Sequence, residues 1–168
     1  METIQFAMYS GEDKSCSEAF LRLLSDYFDG IFANRPEDAI PKEYLPKILE
    51  HITNGTQHFV MWTYLCVVDG EVIGFAIGQV DTKENTQWCR REGWGFIREF
   101  YIDPAHRRKG YATLMYRVLE GKILSHGAKD LYLTTATATG VSFWESVGYA
   151  DSGQIYEGNG GRIFEKHQ

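Results

Sequence analysis

Phe100-Tyr101-Ile102-Asp103-Pro104-Ala105-His106-Arg107-Arg108-Lys109-Gly110-Tyr111-Ala112 is the stretch in which the chain passes from strand to helix across a basic loop. An apolar strand runs to Ile102 and Asp103-Pro104 stops it. From Gly110 the apolar spacing turns helical, with Ala112, Met115, Leu119 and Ile123 along one side. The first turn of a helix presents unpaired N–H groups and a partial positive charge, so it can hold a phosphate. Gly110 lets the backbone approach an anion without a Cβ in the way. The small Ala112 keeps the second turn open, and Arg107, Arg108 and Lys109 add full positive charge. Strand, basic loop and helix together make a pyrophosphate cradle; on spacing alone the alternative is an ordinary helix start with solvated basic residues. No G-x-x-x-x-G-K-[ST] occurs, and no G-x-G-x-x-G follows the first strand, so two better-known phosphate loops are excluded.

Upstream, residues 3 to 9 read as a first strand. Phe20, Leu23, Leu24, Tyr27 and Phe28 mark the apolar face of a first helix. A second helix reads through Tyr44, Leu45, Ile48, Leu49 and Ile52 and is expected to end at Asn54-Gly55, with Asn54-Gly55-Thr56 as a turn. Val60 to Val68 and Glu71 to Val80 flank Asp69-Gly70, the pattern of a β-hairpin with a two-residue turn. Residues 81 to 93 read as a loop, and Trp94 to Ile102 as a fourth strand. Downstream of the cradle helix, which ends near His126-Gly127, Leu131 to Thr135 is a fifth strand and Val141 to Val147 a short helix. Two closing strands flank Gly158-Asn159-Gly160-Gly161. This order predicts a mixed α/β (α+β) fold: one domain over residues 1–168, with a mostly antiparallel sheet of about seven strands and helices on its faces.

With 168 residues, 43% apolar and 14% aromatic, one substantial core is expected. No leader and no window of ~20 apolar residues is read, so the expectation is a soluble, cytoplasmic protein with no membrane partner. Three scattered cysteines and five scattered histidines suggest neither a disulfide framework nor a metal site. A net charge of -6 argues against a nucleic-acid partner.

Arg107-x-x-Gly110-x-Ala112, preceded by Glu99-Phe100-Tyr101-Ile102-Asp103-Pro104, closely resembles the acetyl-CoA motif of the GNAT superfamily of N-acetyltransferases. Phe143-Trp144-Glu145-Ser146-Val147-Gly148-Tyr149 resembles that family's downstream helix end. The likeness is strong over residues 94 to 151 and architectural elsewhere. It implies a splayed strand pair with the pantetheine arm of acetyl-CoA lying in the gap like an added strand. The backbone of Phe100, Tyr101 and Ile102 would bond that arm. The amides of Arg108, Lys109, Gly110, Tyr111, Ala112 and Thr113 would hold the pyrophosphate. Thr137 falls where the family commonly has asparagine, and Trp144 falls where it commonly has the tyrosine that serves as general acid. An indole N–H is too weak an acid for that task, so Trp144 is expected to pack against the pantetheine end or narrow the acyl pocket.

Acyl transfer to an amine needs a neutral amine, a polarised carbonyl and a route for one proton. Glu99, read as lying between Ile97 and Tyr101 on one strand face, is the candidate base, since partial burial would raise its pKa. Tyr149, Tyr101 and Tyr132 are the phenols available to replace the missing acid, with Tyr149 the one assigned. The thiolate alternatively leaves without a dedicated acid. An acceptor pocket is expected among the first two helices and the Trp88 to Trp94 loop, with Tyr27, Phe28, Trp62 and Trp88 either an aromatic wall or core packing. The expected function is acetyl transfer from acetyl-CoA, without a metal, to an amine that the sequence does not name, by a monomer or homodimer. The competing expectation is a non-catalytic acyl-CoA-binding module.

Overall fold

The computed structural model describes residues 1–84, 91–135 and 138–168. Seven strands and four α-helices follow one another as β1 (Ile4–Met8), α1 (Lys14–Ile31), α2 (Leu45–His58), β2 (Met61–Val68), β3 (Glu71–Val80), β4 (Gly95–Ile102), α3 (Tyr111–Ser125), β5 (Leu131–Thr135), α4 (Ala138–Ser146), β6 (Ala150–Ile155) and β7 (Arg162–Lys166). They form one sheet in the order β1-β2-β3-β4-β5-β7-β6. Every neighbouring pair is antiparallel except β4 and β5, which run parallel. The mixed, mostly antiparallel seven-stranded sheet anticipated from the sequence is therefore present. Among the described residues no helix is long and apolar enough to cross a membrane.

Local chemistry explains the main boundaries. The Asp13 carboxylate accepts from the Cys16 amide at 3.0 Å and starts α1. Asp69 and Gly70 both take positive φ, 49° and 85°, the turn an Asp-Gly pair favours between β2 and β3. Two boundaries differ from expectation. Helix α2 runs through Asn54-Gly55-Thr56 to His58. Gly55 is there because the helix lies close on β2: a Cβ at that position would stand 2.4 Å from Met61 Cε. Helix α4 begins at Ala138 rather than Val141, since Gly140 inside a helix costs only about 1 kcal/mol and tertiary packing overrides it.

The sheet separates two cores. On one face α1 and α2 bury Phe20, Leu23, Leu24 and Ile52 against Met61, Leu65, Phe75 and Ile77. On the other, α3 and α4 bury Met115, Leu119, Ile123 and Trp144 against Ala76, Ile97, Leu133 and Phe164. Each fully buried apolar side chain stabilises the fold by about 1.5–3 kcal/mol, so the two faces hold β4 firmly between them. Trp62 belongs to the second face, with its ring 4.4 Å from that of His126. It is therefore not part of a wall with Tyr27 and Phe28, which pack on the first face. Residue parity along β2 decides this, because Trp62 alternates with the α1-facing Met61 and Thr63.

Candidate functional site

At the end of β4, the Asp103 carboxylate accepts from the Ala105 amide at 2.9 Å and starts a single 3₁₀ turn, Pro104–His106. Arg107 then folds back: its Nε donates to the Ile102 carbonyl at 2.8 Å, and its guanidinium lies 5.6 Å from the Tyr101 ring centre. Arg108 takes φ 66°, and Gly110, at φ 87°, is the residue from which α3 departs. Among the described residues, its two chain neighbours aside, no atom lies within 4 Å of where a Gly110 Cβ would be. The space beside the first turn of α3 is thus open, and the amides of Tyr111, Ala112 and Thr113 head a helix that cannot pair them internally. Arg108 and Lys109 are exposed beside it. Tyr111 has its hydroxyl on the Glu2 carboxylate at 2.7 Å, a bond that pushes its pKa up to about 12, so only its amide is left for the cradle.

Among the described residues, strands β4 and β5 pair at Gly95↔Leu131 and Phe96↔Tyr132 and nowhere else. Beyond that point they part, while β4 keeps its register with β3 through Ala76↔Phe100, Phe75↔Tyr101 and Gly74↔Ile102. The anticipated splay is therefore present, and the edge of β4 that carries Phe100, Tyr101 and Ile102 borders it. The Ile102 carbonyl is already engaged by Arg107.

A β-bulge bends β4 beside this gap. Gly78 pairs with Ile97 and Ile77 with Glu99, so Arg98 is the inserted residue. The bulge corrects the expectation that Ile97, Glu99 and Tyr101 share a face, because an extra residue reverses the side-chain alternation. Ile97 and Phe100 pack toward α3, whereas Glu99 and Tyr101 face α1. The Tyr27 hydroxyl, from α1, donates to Glu99 Oε2. Withdrawal from water pushes the Glu99 carboxyl above the usual carboxylate range, opposed by the Tyr27 hydrogen bond and the Arg98 charge. Arg98 turns to the same side, with Nη1 3.0 Å from Met61 Sδ and donating to Gln79 Oε1 at 3.3 Å. Gln79 in turn donates to Asp81 at 2.8 Å, and Asp81 also accepts from the Tyr132 hydroxyl and, at 3.3 Å, from the Arg91 amide.

On the other face, Trp144 is 7% exposed and enclosed by rings: Phe143 at 4.8 Å, Phe100 at 5.1 Å, Tyr149 at 5.5 Å and Tyr116 at 5.7 Å between centres. Tyr149 is 3% exposed, and the Tyr116 hydroxyl lies 3.3 Å from its own. Tyr116 also donates to Glu120 at 2.8 Å, and Lys166 closes the chain as Glu120's ion-pair partner. Burial pushes both phenols well above the ordinary tyrosine value.

The fold thus gathers Phe100, Tyr101, Ile102, Arg107, Arg108, Lys109, Gly110, Tyr111, Ala112 and Thr113 around one strand end, with Glu99 a few residues back along the same strand. Glu99 and Tyr149 do not meet, since they face opposite sides of the sheet. Thr137 and Trp88 lie outside the described residues. Two partners escape sequence reasoning. Tyr27 reaches Glu99 across 72 positions, a distance no local pattern spans. Arg98 carries a readable signal: two adjacent charged residues inside the apolar run Phe96-Ile97-Arg98-Glu99-Phe100 break alternation, as a bulge does.

The model of the Acetyltransferase (GNAT) family matches residues 18–149. No curated protein matches the sequence significantly. Among solved structures, the chain is similar to the PaiA N-acetyltransferase of Thermoplasma acidophilum in complex with coenzyme A, at 16% identity over 99% of each chain and a TM-score of 0.74. It is also similar to a GNAT-family acetyltransferase of Staphylococcus aureus, at 12% identity over 98% of this chain and 99% of that one, TM-score 0.74. An acetyltransferase of Thermus thermophilus matches at 12% identity over 99% of this chain and 97% of that one, TM-score 0.72.

Proposed function

Because the chain belongs to the acetyltransferase (GNAT) family, we propose that it moves the acetyl group of acetyl-CoA directly onto an amine, with Glu99 as the general base. The observation that carries this reading is the conjunction on one strand: a half-buried carboxylate at a bulge, a parted strand pair beside it, and an open helix start at the strand's end. The cradle fits a diphosphate, since it has free space at Gly110, first-turn amides and two exposed cations. The gap beside β4 suits an amide-bearing arm that adds as a strand.

In this reading the acetyl group is supplied by acetyl-CoA, and this chain's residues orient it and manage one proton. The amine nitrogen bonds to the acetyl carbon, the carbon–sulfur bond breaks with its electron pair leaving on sulfur, and the nitrogen's proton passes to Glu99. Desolvation poises Glu99 for that step by raising its basicity. Trp144 packs, and its indole N–H is too weak an acid to protonate sulfur. The Tyr149 hydroxyl is buried 3.3 Å from that of Tyr116 and burial raises its pKa, so sulfur leaves as thiolate and is protonated by solvent. A thiol's ordinary pKa of about 8.5 makes that departure feasible near neutral pH.

One observation favours a second reading, a binding module without turnover: Trp144 stands in a closed aromatic box where the family's acid is expected. Two measurements separate the readings. Calorimetric titration with acetyl-CoA should show binding by wild type and its collapse, by about 100-fold or more, in a folded Gly110→Asp variant. Thiol release from acetyl-CoA, screened against amines, should depend on the acceptor. Tight binding with no acceptor-dependent release across the panel establishes the module instead.

A further inference from the structure

We propose that Arg98 binds a carboxylate on the acceptor, so that the amine acetylated here belongs to an amino acid or a similar amino-carboxylate. This rests on the acyl-transfer reading and names its acceptor class. Arg98 and Glu99 are consecutive, and the bulge turns both toward α1, where uninterrupted alternation would have sent them to opposite faces. A cation and an anion thus stand side by side on one surface. An α-amino acid presents the complementary pair, an ammonium and a carboxylate one carbon apart.

The guanidinium is left with capacity to spare. Among the described residues its contacts are a thioether sulfur and a neutral amide oxygen, both made by Nη1. Among the described residues no carboxylate forms an ion pair with it inside 4.0 Å. The two acidic groups near enough to feel its charge have other partners: Glu99 accepts from Tyr27, and Asp81 accepts from Gln79, Tyr132 and the Arg91 amide. Nε and Nη2 therefore hold the planar donor fork that carboxylates accept in two parallel bonds. Arg98 is partly exposed, so a small ligand can reach it. A withdrawn cation without a close anion is costly, and a bound carboxylate relieves that cost. The ammonium gives one proton to solvent before attack; Glu99 takes the resulting amine end and receives its second proton, so the acceptor is held by both ends with its nitrogen set against the base.

The test compares amino acids with their own amides and decarboxylated amines, measuring kcat/KM by thiol release with each rate referred to the neutral amine. For wild type the carboxylate is expected to raise kcat/KM by ~10- to 100-fold, the worth of a charged hydrogen-bonded contact, chiefly through KM. In Arg98→Met that ratio should fall to near one. Arg98→Lys, which keeps the charge but loses the fork, should retain a part of it. A wild-type ratio near one overturns the inference while leaving acyl transfer standing, and this comparison needs no variant to fold. A ratio preserved in folded Arg98→Met overturns it equally. No turnover with any amine, alongside intact acetyl-CoA binding, overturns the acyl-transfer reading itself.

Discussion

Among the described residues, on the α1 side of β4 a carboxylate meets one phenol and a guanidinium meets no close anion, whereas on the α3 side four rings enclose an indole and the Tyr116 and Tyr149 hydroxyls lie against each other. Both faces carry tyrosines and an acidic residue, Tyr27 and Glu99 half-buried on one, Tyr116 and Tyr149 buried beside a half-buried Glu120 on the other. The difference is in what their hydrogen bonds leave over. Glu99 has acceptor capacity beyond its single bond from Tyr27, and Arg98 has donor capacity beyond Nη1. Tyr149, Tyr116, Glu120 and Lys166 instead form a chain in which each group satisfies the next. A satisfied buried network rigidifies, and an incompletely satisfied one is where a ligand gains most. The chemistry is therefore expected on the α1 face and the packing on the α3 face.

The severest challenge to that division is Glu99→Gln, which keeps shape but cannot take a proton. Turnover should fall by about 100-fold or more, with acetyl-CoA affinity unchanged by calorimetry. Wild-type kcat/KM should show an acid limb above the ordinary carboxylate range, because the folded-state pKa of Glu99 is raised. The stability consequence has a definite sign. A group whose pKa is raised on folding gives its full contribution below the unfolded-state pKa and loses it as pH rises through the folded-state value. Denaturant midpoints of wild type, compared with Glu99→Gln, should decline across that window and the variant's should not. Full activity in Glu99→Gln would move the base off this face.

Trp144 offers the next largest effect, on stability rather than rate. Replacing it by Tyr or Phe removes part of a bicyclic ring from a closed box, and either change should cost about 1–3 kcal/mol in denaturant unfolding. Single-turnover thiol release should differ little between the two variants. A large gain in Trp144→Tyr alone would mean that the α3 face still holds an acid's place, and the contrast between the faces would fail.

Tyr27→Phe sharpens the α1 side. It removes a hydrogen bond that favours the ionised carboxylate, so the acid limb should move to higher pH. Several-fold loss is expected on the acid side of the profile and near-wild-type rates at high pH. A uniform loss at every pH would mean that Tyr27 shapes the pocket rather than tunes Glu99.

The same division marks what is legible in the sequence. The cradle is local: a strand, a proline stop, cations and a glycine occupy contiguous positions, and their order along the chain fixes their order in space. The hairpin around Asp69-Gly70 and the splay beside β4 are legible for related reasons, turn chemistry in one case and motif likeness in the other. The bulge is missed when strand periodicity is read alone, because that periodicity assumes the alternation an inserted residue breaks, and so Ile97 is sent to the wrong face although the adjacent charges Arg98-Glu99 mark the break. Trp62 escapes it too, since its placement needs the parity of β2 to be fixed against the helices. Tyr27 and Glu99 meet only because α1 crosses the sheet, and Tyr116 meets Tyr149 only because α4 returns to α3.

The smallest effect is expected at Tyr149, the phenol assigned from sequence as a replacement acid. Its hydroxyl is buried beside that of Tyr116, and burial raises its pKa, so losing its proton to a departing thiolate is unfavourable. A proton relayed through the pair would have to be replaced from Glu120 or Lys166, which are themselves joined in an ion pair. Tyr149→Phe removes one hydrogen bond and leaves the ring, so unfolding stability should drop by about 1 kcal/mol. Single-turnover thiol release should stay within about threefold of wild type, well short of the roughly 100-fold that a well-placed general acid contributes. The outcome bears on more than one residue. If Tyr149→Phe falls a hundredfold while Tyr116→Phe falls with it, the closed network is a proton path and the α3 face shares in catalysis. If both variants lose only stability, sulfur departs unaided, and the open bonds around Glu99 and Arg98 carry the reaction alone.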